Sequence, residues 1–270
     1  MFLPSLTLIA VTIGALAHGA FAACQREALQ DATDDYLSSQ EKGKPSNLLL
    51  ADGVKYRENN RRLYDIESGI LSQPLKINSS RTIFDLPKCA TYTEIIVTDE
   101  ENPWVIGTQL HFDGCDDNIK LALVDTITTT TPDWQFNATK SLGIIQQENW
   151  STIDVNLRDS RKTLKAAGDA YLDLWGNSRA PVPWGMPCRR MEGSNHTGLG
   201  LQTDSCSEGI PDGDGLPPNS DRRYVIDEAV GAVSILCKFE LMYNAPDSHE
   251  FRLEGAKLRY VHTMTVMRKL

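Results

Sequence analysis

The sequence predicts an α+β fold built from two similar cone-shaped halves, each with helices packed on a curved antiparallel sheet. Three observations carry this. "LQDATDDYL" at 29–37 and "LKAAGDAYL" at 164–172 share Leu, Ala, Asp, Tyr and Leu at equivalent places, shifted by 135 in a chain of 270. "KLALVDTIT" (120–128) likewise aligns with "KLRYVHTMT" (257–265). Each half also runs from a helix into several strand-like segments, the order expected of helices segregated from a sheet.

In chain order, residues 1–22 contain no Lys, Arg, Asp or Glu, and "LTLIAVTIGAL" followed by "AFA" reads as a signal peptide cleaved near Ala22. The run is too short to span a bilayer, so the mature chain is expected to be secreted through the secretory pathway. The first domain is read as 23–131. Its helix places Leu29, Ala32, Tyr36 and Leu37 on one stripe. "VKYREN", "TYTEIIVTD", "WVIGTQLHF" and "IKLALVDTIT" follow as strands, the last two joined at Asp113-Gly114. Residues 132–158 show no period and read as a linker. The second domain, 159–270, opens on a helix between Asp159-Ser160 and Gly176. A long loop at 192–221 holds six Gly and three Pro, and the strands "RRYVIDEAVGAVSILCKF", "HEFRLEG" and "KLRYVHTMTVM" complete the half. "CATYTE" (89–94) is read as the counterpart of "RRYVIDE" (222–228). A curved sheet closed by helices leaves a pocket at its open end, and the pattern is that of tandem NTF2-like (SnoaL-like) domains.

Six cysteines in an oxidising compartment permit fifteen pairings. Cys24 opens the first helix and Cys89 a central strand of the same half, so these are paired. Cys188 and Cys206 close the long loop, and the pairing of Cys115 and Cys237, which lie in different halves, stays open. Asn78, Asn137, Asn149 and Asn195 lie in glycosylation sequons and should be exposed. A net charge of −9 argues against nucleic acid or an anionic membrane as partner. The sequence leaves oligomeric state open, a dimer included.

Several blocks resemble the DUF8021 family of secreted fungal proteins: "CATYTEIIVTD" (89–99), "AGDAYLDLWGN" (167–177), "PWGMPCRRMEG" (183–193), "RRYVIDEAVGAV" (222–233) and "DSHEFRLEGAKLRYVHTMTVM" (247–267). Its characterised members resemble hetero-Diels–Alderases that join a tropolone quinone methide to a humulene-type sesquiterpene alkene in meroterpenoid biosynthesis. The resemblance implies such a reaction here, while Met186, Met191 and Cys115 depart from the commoner pattern and leave the substrate open.

The residues fit a cofactor-free, metal-free site. GxSxG, HExxH, GxGxxG and Walker A motifs are absent from the sequence, and Asp212-Gly-Asp214-Gly has no glutamate at calcium-loop spacing. A cycloaddition needs only positioning, a hydrogen bond to the developing oxyanion and one acid for dehydration. Alternation puts Leu258, Tyr260, His262 and Met264 on one strand face, which makes His262 and Tyr260 catalytic candidates and Met264 a pocket residue. A hydrogen-bonded core histidine is the plain alternative. Arg190 could hold an enolone oxygen and Trp184 stack on a planar ligand; the alternative is an Arg190–Glu192 surface pair beside a buried Trp. Tyr224 and Glu228, which share a face of "RRYVIDE", and His249 at a strand entry are substrate-binding candidates; for His249 a cap is the simpler role. The expected partner is thus a small apolar or planar metabolite. The rival functions are a secreted non-catalytic binding protein and a SnoaL-like isomerase or hydratase.

Overall fold

The computed structural model describes residues 23–114, 119–198, 201–210 and 215–267. The signal-peptide expectation, Cys115 and the Asp212–Asp214 stretch lie outside them. Helix α1 (Arg26–Lys42) turns Leu29, Thr33, Tyr36 and Gln40 inward. It stops at Gly43, whose φ of 62° is left-handed and whose added Cβ would lie 2.7 Å from the Pro74 nitrogen; both facts demand glycine. Strands β1 (Leu50–Glu58), β2 (Arg61–Leu63), β3 (Ser79–Asp85), β4 (Ala90–Val97), β5 (Trp104–Asp113) and β6 (Lys120–Thr129) form one sheet, in the order β2-β1-β6-β5-β4-β3.

Helices α2 (Ala138–Ile145) and α3 (Arg161–Asp173) follow, then β7 (Arg189–Glu192), β8 (Asn195–Thr197), β9 (Ser220–Asp227), β10 (Ala232–Phe239), β11 (Ala245–Glu254) and β12 (Lys257–Thr265). The second sheet has the order β8-β7-β12-β11-β10-β9, the same path as the first. The duplication is therefore one of topology. Two sequence expectations change. The sheets are not wholly antiparallel, because β1–β6 and β7–β12 pair in parallel. "RRYVID" in β9 corresponds to β3, whereas "CATYTE" enters β4, whose counterpart is β10; the two segments were one strand out of step.

Pairing registers fix the remaining equivalences. Asp125 lies opposite Gln109 and His262 opposite Glu250, so taking Asp125 with His262 matches Gln109 to Glu250 and Thr108 to His249. Each half carries a bulge at the same place, beside His111/Phe112 and beside Arg252/Leu253. An extra residue flips the alternation. Leu258 consequently packs with Phe251 and Val261 under α3, on the face opposite Tyr260, His262 and Met264. The expected single face ends at the bulge.

Of the four apolar clusters among the described residues, three stack in layers and the fourth, Trp175, Phe239 and Ala245, lies at the end of α3. Leu29 and Tyr36 of α1 pack on Ile95, Ile106, Leu110 and Val124 of the first sheet. Leu164, Ala167, Tyr171 and Leu172 of α3 pack on Val233, Ile235, Phe251 and Val261 of the second. Between the sheets, Ile83, Tyr92 and Ile127 meet Val225, Leu236 and Met264. The segment 132–158, read as linker, is built into this middle layer. Asn137 caps α2 by accepting from Lys140 N at 2.9 Å, and Ala138, Phe136, Leu142 and Trp150 enter the core. The loop 192–221 likewise contains β8 and the start of β9.

Reciprocal polar clamps join the halves. Arg26 of α1 donates to Asp227 at 2.9 Å, and Arg161 of α3 donates to Asp85 at 2.7 and 2.5 Å. Asp227 also accepts from Phe84 N and Asp85 from Ile226 N, at 2.9 and 3.0 Å. The matching register of β3 and β9 makes these equivalent contacts. Cys24–Cys89 and Cys188–Cys206 are disulfide-bonded, the two expected pairings, and Cys237 is a buried thiol. Disulfides fit an oxidising compartment. Among the described residues no helix is long and apolar enough to cross a membrane. All four sequon asparagines are exposed.

Candidate functional site

The two halves differ in what fills the space between helix and sheet. In the first, the chain at 69–75 turns inward and plugs the mouth. Ile70, Leu71 and Leu75 are buried. Ile70 N donates to Glu58 at 2.7 Å, and Gln40 donates to the carbonyls of Ile70 and Gln73 at 2.9 and 3.0 Å. Tyr56 donates to Glu58 at 2.7 Å, and Tyr36 bonds Thr108 at 3.0 Å.

The second half is open at the equivalent place, with a cavity of about 390 Å³. Tyr171 and Trp175 wall it at the end of α3, Phe239, Leu241 and Met242 after β10, and Trp134 and Gln135 from the segment between the halves. Arg190 and Glu192 of β7 stand where Tyr56 and Glu58 stand in the first half, opposite Val261 and Thr263. Asp247, His249, Thr263 and Thr265 form the floor. Asp247 and His249 replace Ile106 and Thr108, an acid and an imidazole where the first half has an apolar residue and a hydroxyl.

Strand geometry brings the floor together. Asp247 lies directly across from Cys237, and His249 is two residues further along the same face. Thr265 donates to Asp247 Oδ1 at 2.8 Å, and His249 Nδ1 lies 3.2 Å from Asp247 Oδ2. Burial pushes the Asp247 carboxyl up to about 8. Burial, with the Arg190 and Arg222 charges, brings His249 down to about 3. Burial and the neighbouring Asp247 raise the Cys237 thiol well above its ordinary value, and burial takes the Tyr171 phenol to about 12. At neutral pH the floor is therefore an uncharged acid beside an uncharged imidazole. Such a pair can give one proton and accept one without creating a buried net charge.

Two of the sequence candidates, Arg190 and His249, line this cavity. Arg190 is 3 % exposed and also structural: it donates to the carbonyls of Cys206 and Glu208 at 3.2 and 2.7 Å and to Glu192 at 3.3 Å. It thus ties the disulfide loop to β7. Trp184 packs edge-on to Tyr171 with centroids 6.0 Å apart, behind the cavity wall. Tyr224 lies on the outer sheet under α3 and donates to Asp169 at 2.7 Å, beneath the Lys165 ammonium. Glu228 accepts from Arg161 N at 2.8 Å and so caps α3.

His262, Tyr260 and Met264 point the other way, into the middle layer. His262 is 1 % exposed, its Nδ1 3.0 Å from Glu94 and its Nε2 2.8 Å from Glu148. Arg81 donates to both Glu250 oxygens at 2.7 and 2.6 Å and to Glu94 at 2.9 Å. The Trp150 ring lies 3.6 Å from the Arg81 guanidinium carbon, donates to Glu148 at 2.8 Å and packs on Tyr260 and His262. Burial opposes charge on His262, but Glu148 and Glu94 hold it protonated well above the usual imidazole range. Burial alone would raise Glu94, yet His262 and Arg81 bring it down to about 2. Burial raises Glu250, the second carboxylate on the same guanidinium. This is a cross-sheet ion cluster, and it explains the strand's Tyr and His through packing.

Sequence reasoning missed Asp247, Cys237, Tyr171, Trp175 and Trp134 as site residues. "DSH" at 247–249 did carry the signal, an acid and an imidazole at alternate strand positions; the cap reading of His249 obscured it.

Residues 157–265 match the family described as "Domain of unknown function (DUF8021)". The match runs from the turn before α3 to the end of β12, which is the half with the open cavity. No curated protein matches the chain.

Proposed function

We propose that the chain is a cofactor-independent cyclase working in the second-half cavity, a hetero-Diels–Alderase that joins a tropolone-derived quinone methide to a sesquiterpene alkene in fungal meroterpenoid biosynthesis. One observation carries this reading: beside Tyr56 and Glu58 the first half is filled by the 69–75 segment, whereas beside the equivalent Arg190 and Glu192 the second half is open, over a neutral Asp247–His249 pair. A volume of about 390 Å³ falls in the range of small-molecule sites, roughly 300–1,000 Å³. Tyr171, Trp175 and Trp134 offer aromatic faces for a planar ring.

The chemistry balances without an added reagent. Asp247 delivers its proton to a leaving hydroxyl, the carbon–oxygen bond breaks and water departs. The enolic O–H of the substrate returns its proton to the Asp247 carboxylate, with His249 beside it to accept and pass it on. The heterodiene then forms one carbon–carbon and one carbon–oxygen bond with the alkene, and nothing leaves. Holding the two partners in reacting geometry lowers the barrier by up to about 7–11 kcal/mol, and general acid catalysis supplies about 10²–10⁴-fold more.

The near-complete burial of Asp247 and His249, 0 % and 3 % exposed, favours the second reading, a secreted binding protein for the same class of metabolite. One experiment separates them. The purified chain is mixed with the hydroxylated tropolone precursor and the alkene, and the products are resolved by mass spectrometry. Cyclised product that falls about 10²–10⁴-fold in Asp247→Asn supports the enzyme. Ligand binding with no product above background, in a folded parent, overturns it in favour of the binder.

A further inference from the structure

We propose that Cys237, Asp247 and His249, with the Asn219 amide as fourth donor, form a binding site for a thiophilic divalent cation of the zinc type on the cavity floor. This goes beyond the proposed reaction and does not rest on it. The three side chains project from one face of two adjacent strands, and all are buried. Cys237 Sγ lies 3.8 Å from Asp247 Oδ2 and 4.0 Å from His249 Nδ1, which is 3.2 Å from the same oxygen. A tetrahedral zinc with ordinary bond lengths to sulfur, nitrogen and oxygen needs donor separations of about 3.3–3.6 Å. The trio meets that requirement with shifts of a few tenths of an ångström.

The fourth corner is also present. Asn219 is 2 % exposed, its Nδ2 standing 3.5 Å from Asp247 Oδ2 and 3.8 Å from Cys237 Sγ, and its Oδ1 is buried without a hydrogen-bond partner. Turning the amide over places that oxygen among the other three donors and satisfies it. Outer contacts aim the ligands. Thr265 holds Asp247 Oδ1, which leaves Oδ2 for the ion, and the His249 ring is stacked on Phe251 and braced by Tyr171. Asp247 and His249 line the cavity, so an ion has a way in. The other three-residue donor group, Glu94, Glu250 and His262, has no such room, because the Arg81 guanidinium already sits between its carboxylates.

Binding requires the thiol and the carboxyl to lose their protons. Affinity should therefore rise with pH. An occupied site also lacks the Asp247 proton on which the proposed dehydration depends, and bound metal would slow that step.

The test is a titration of the full chain with Co²⁺, read by the near-ultraviolet thiolate-to-metal band and the visible bands of four-coordinate cobalt. One equivalent should bind. The thiolate band should persist in Cys115→Ser, vanish in Cys237→Ser, and need about 10- to 100-fold more cobalt in His249→Gln. No thiolate band in the parent, or an unchanged one in Cys237→Ser, overturns the proposal. Should Cys237→Ser fail to fold, alkylation of the parent decides. Zinc should protect the Cys237 peptide, and equal labelling with and without zinc overturns the site.

Discussion

Changing Glu94 to glutamine removes one charge from a buried cluster while keeping its shape. Glu94 is 1 % exposed and faces both His262 and Arg81. Its carboxyl sits at about 2 where a free one sits at 4.5, and at about 1.4 kcal/mol per tenfold this places about 3 kcal/mol on the ionised form. Breaking a buried pair by removing one partner costs about 3–5 kcal/mol, so the two routes to the magnitude agree. For a chain of this size the melting temperature should fall by roughly 6–12 °C. The pH dependence has a definite sign. Glu94 is lowered, so its contribution is complete above about 4.5 and is lost as pH falls toward about 2. His262 is raised, so its contribution is complete below its ordinary value and is lost only as pH rises through the raised one. Thermal unfolding followed by circular dichroism should show the full gap between parent and variant near pH 6, closing on acidification. A gap below about 1 kcal/mol at pH 6, or one that stays constant down to pH 2.5, would refute the reasoning. Ligand affinity of the cavity should be unchanged, because Glu94 lies on the opposite side of the second sheet.

Leu71→Ala, inside the first-half plug, should cost about 2–5 kcal/mol in denaturant unfolding and leave second-cavity binding intact; a loss below about 1 kcal/mol would mean the plug is not packed. Cys188→Ser with Cys206→Ser opens an 18-residue span and should destabilise by about 3 kcal/mol under non-reducing conditions; equal stability with the parent would remove the disulfide's role. Gly193→Ala forces a Cβ to within 2.4 Å of the Trp134 carbonyl at a φ of 61°. It should displace the cavity wall and weaken ligand binding by fluorescence titration, and unchanged affinity would separate that wall from the site.

Much of the fold was legible in residues that repeat. Leu164, Ala167 and Tyr171 recur because the same helix must bury the same stripe against the same sheet. The Cys24–Cys89 disulfide followed from the elements those cysteines open, and Cys188–Cys206 from the loop they close. What failed had physical causes. A bulge beside Arg252 reverses alternation, so Leu258 left the face shared by Tyr260 and His262. The segment 138–145 shows no clean period because it packs between two layers, and its cap, Asn137, had been read only as a sequon. Of the site, Arg190 and His249 were found through residue type. Asp247 and Tyr171 were not, since an acid at a strand start and a tyrosine on a helix each have commoner explanations.

The half matched by the family model cannot be understood without the rest of the chain. His262 owes its charge to Glu94 of the first sheet and Glu148 of the connecting segment, and Glu250 owes its neutralisation to Arg81. Arg161 at the start of α3 is held by Asp85, and Asp227 is held by Arg26. Each is a charge that would be costly to bury alone. The first half is filled by Ile70 and Leu71 where the second is open, and its own cavity of about 480 Å³ lies elsewhere, where Ala28 and Ala32 of α1 face Leu48, Phe112 and Leu121. It supplies the counter-charges and the apolar middle layer on which the second sheet is laid, and that sheet's other face carries Asp247 and His249. A duplicated unit thus divides its labour: one copy is filled where the other is left open, and the filled copy serves as the base for a floor that carries Asp247 and His249.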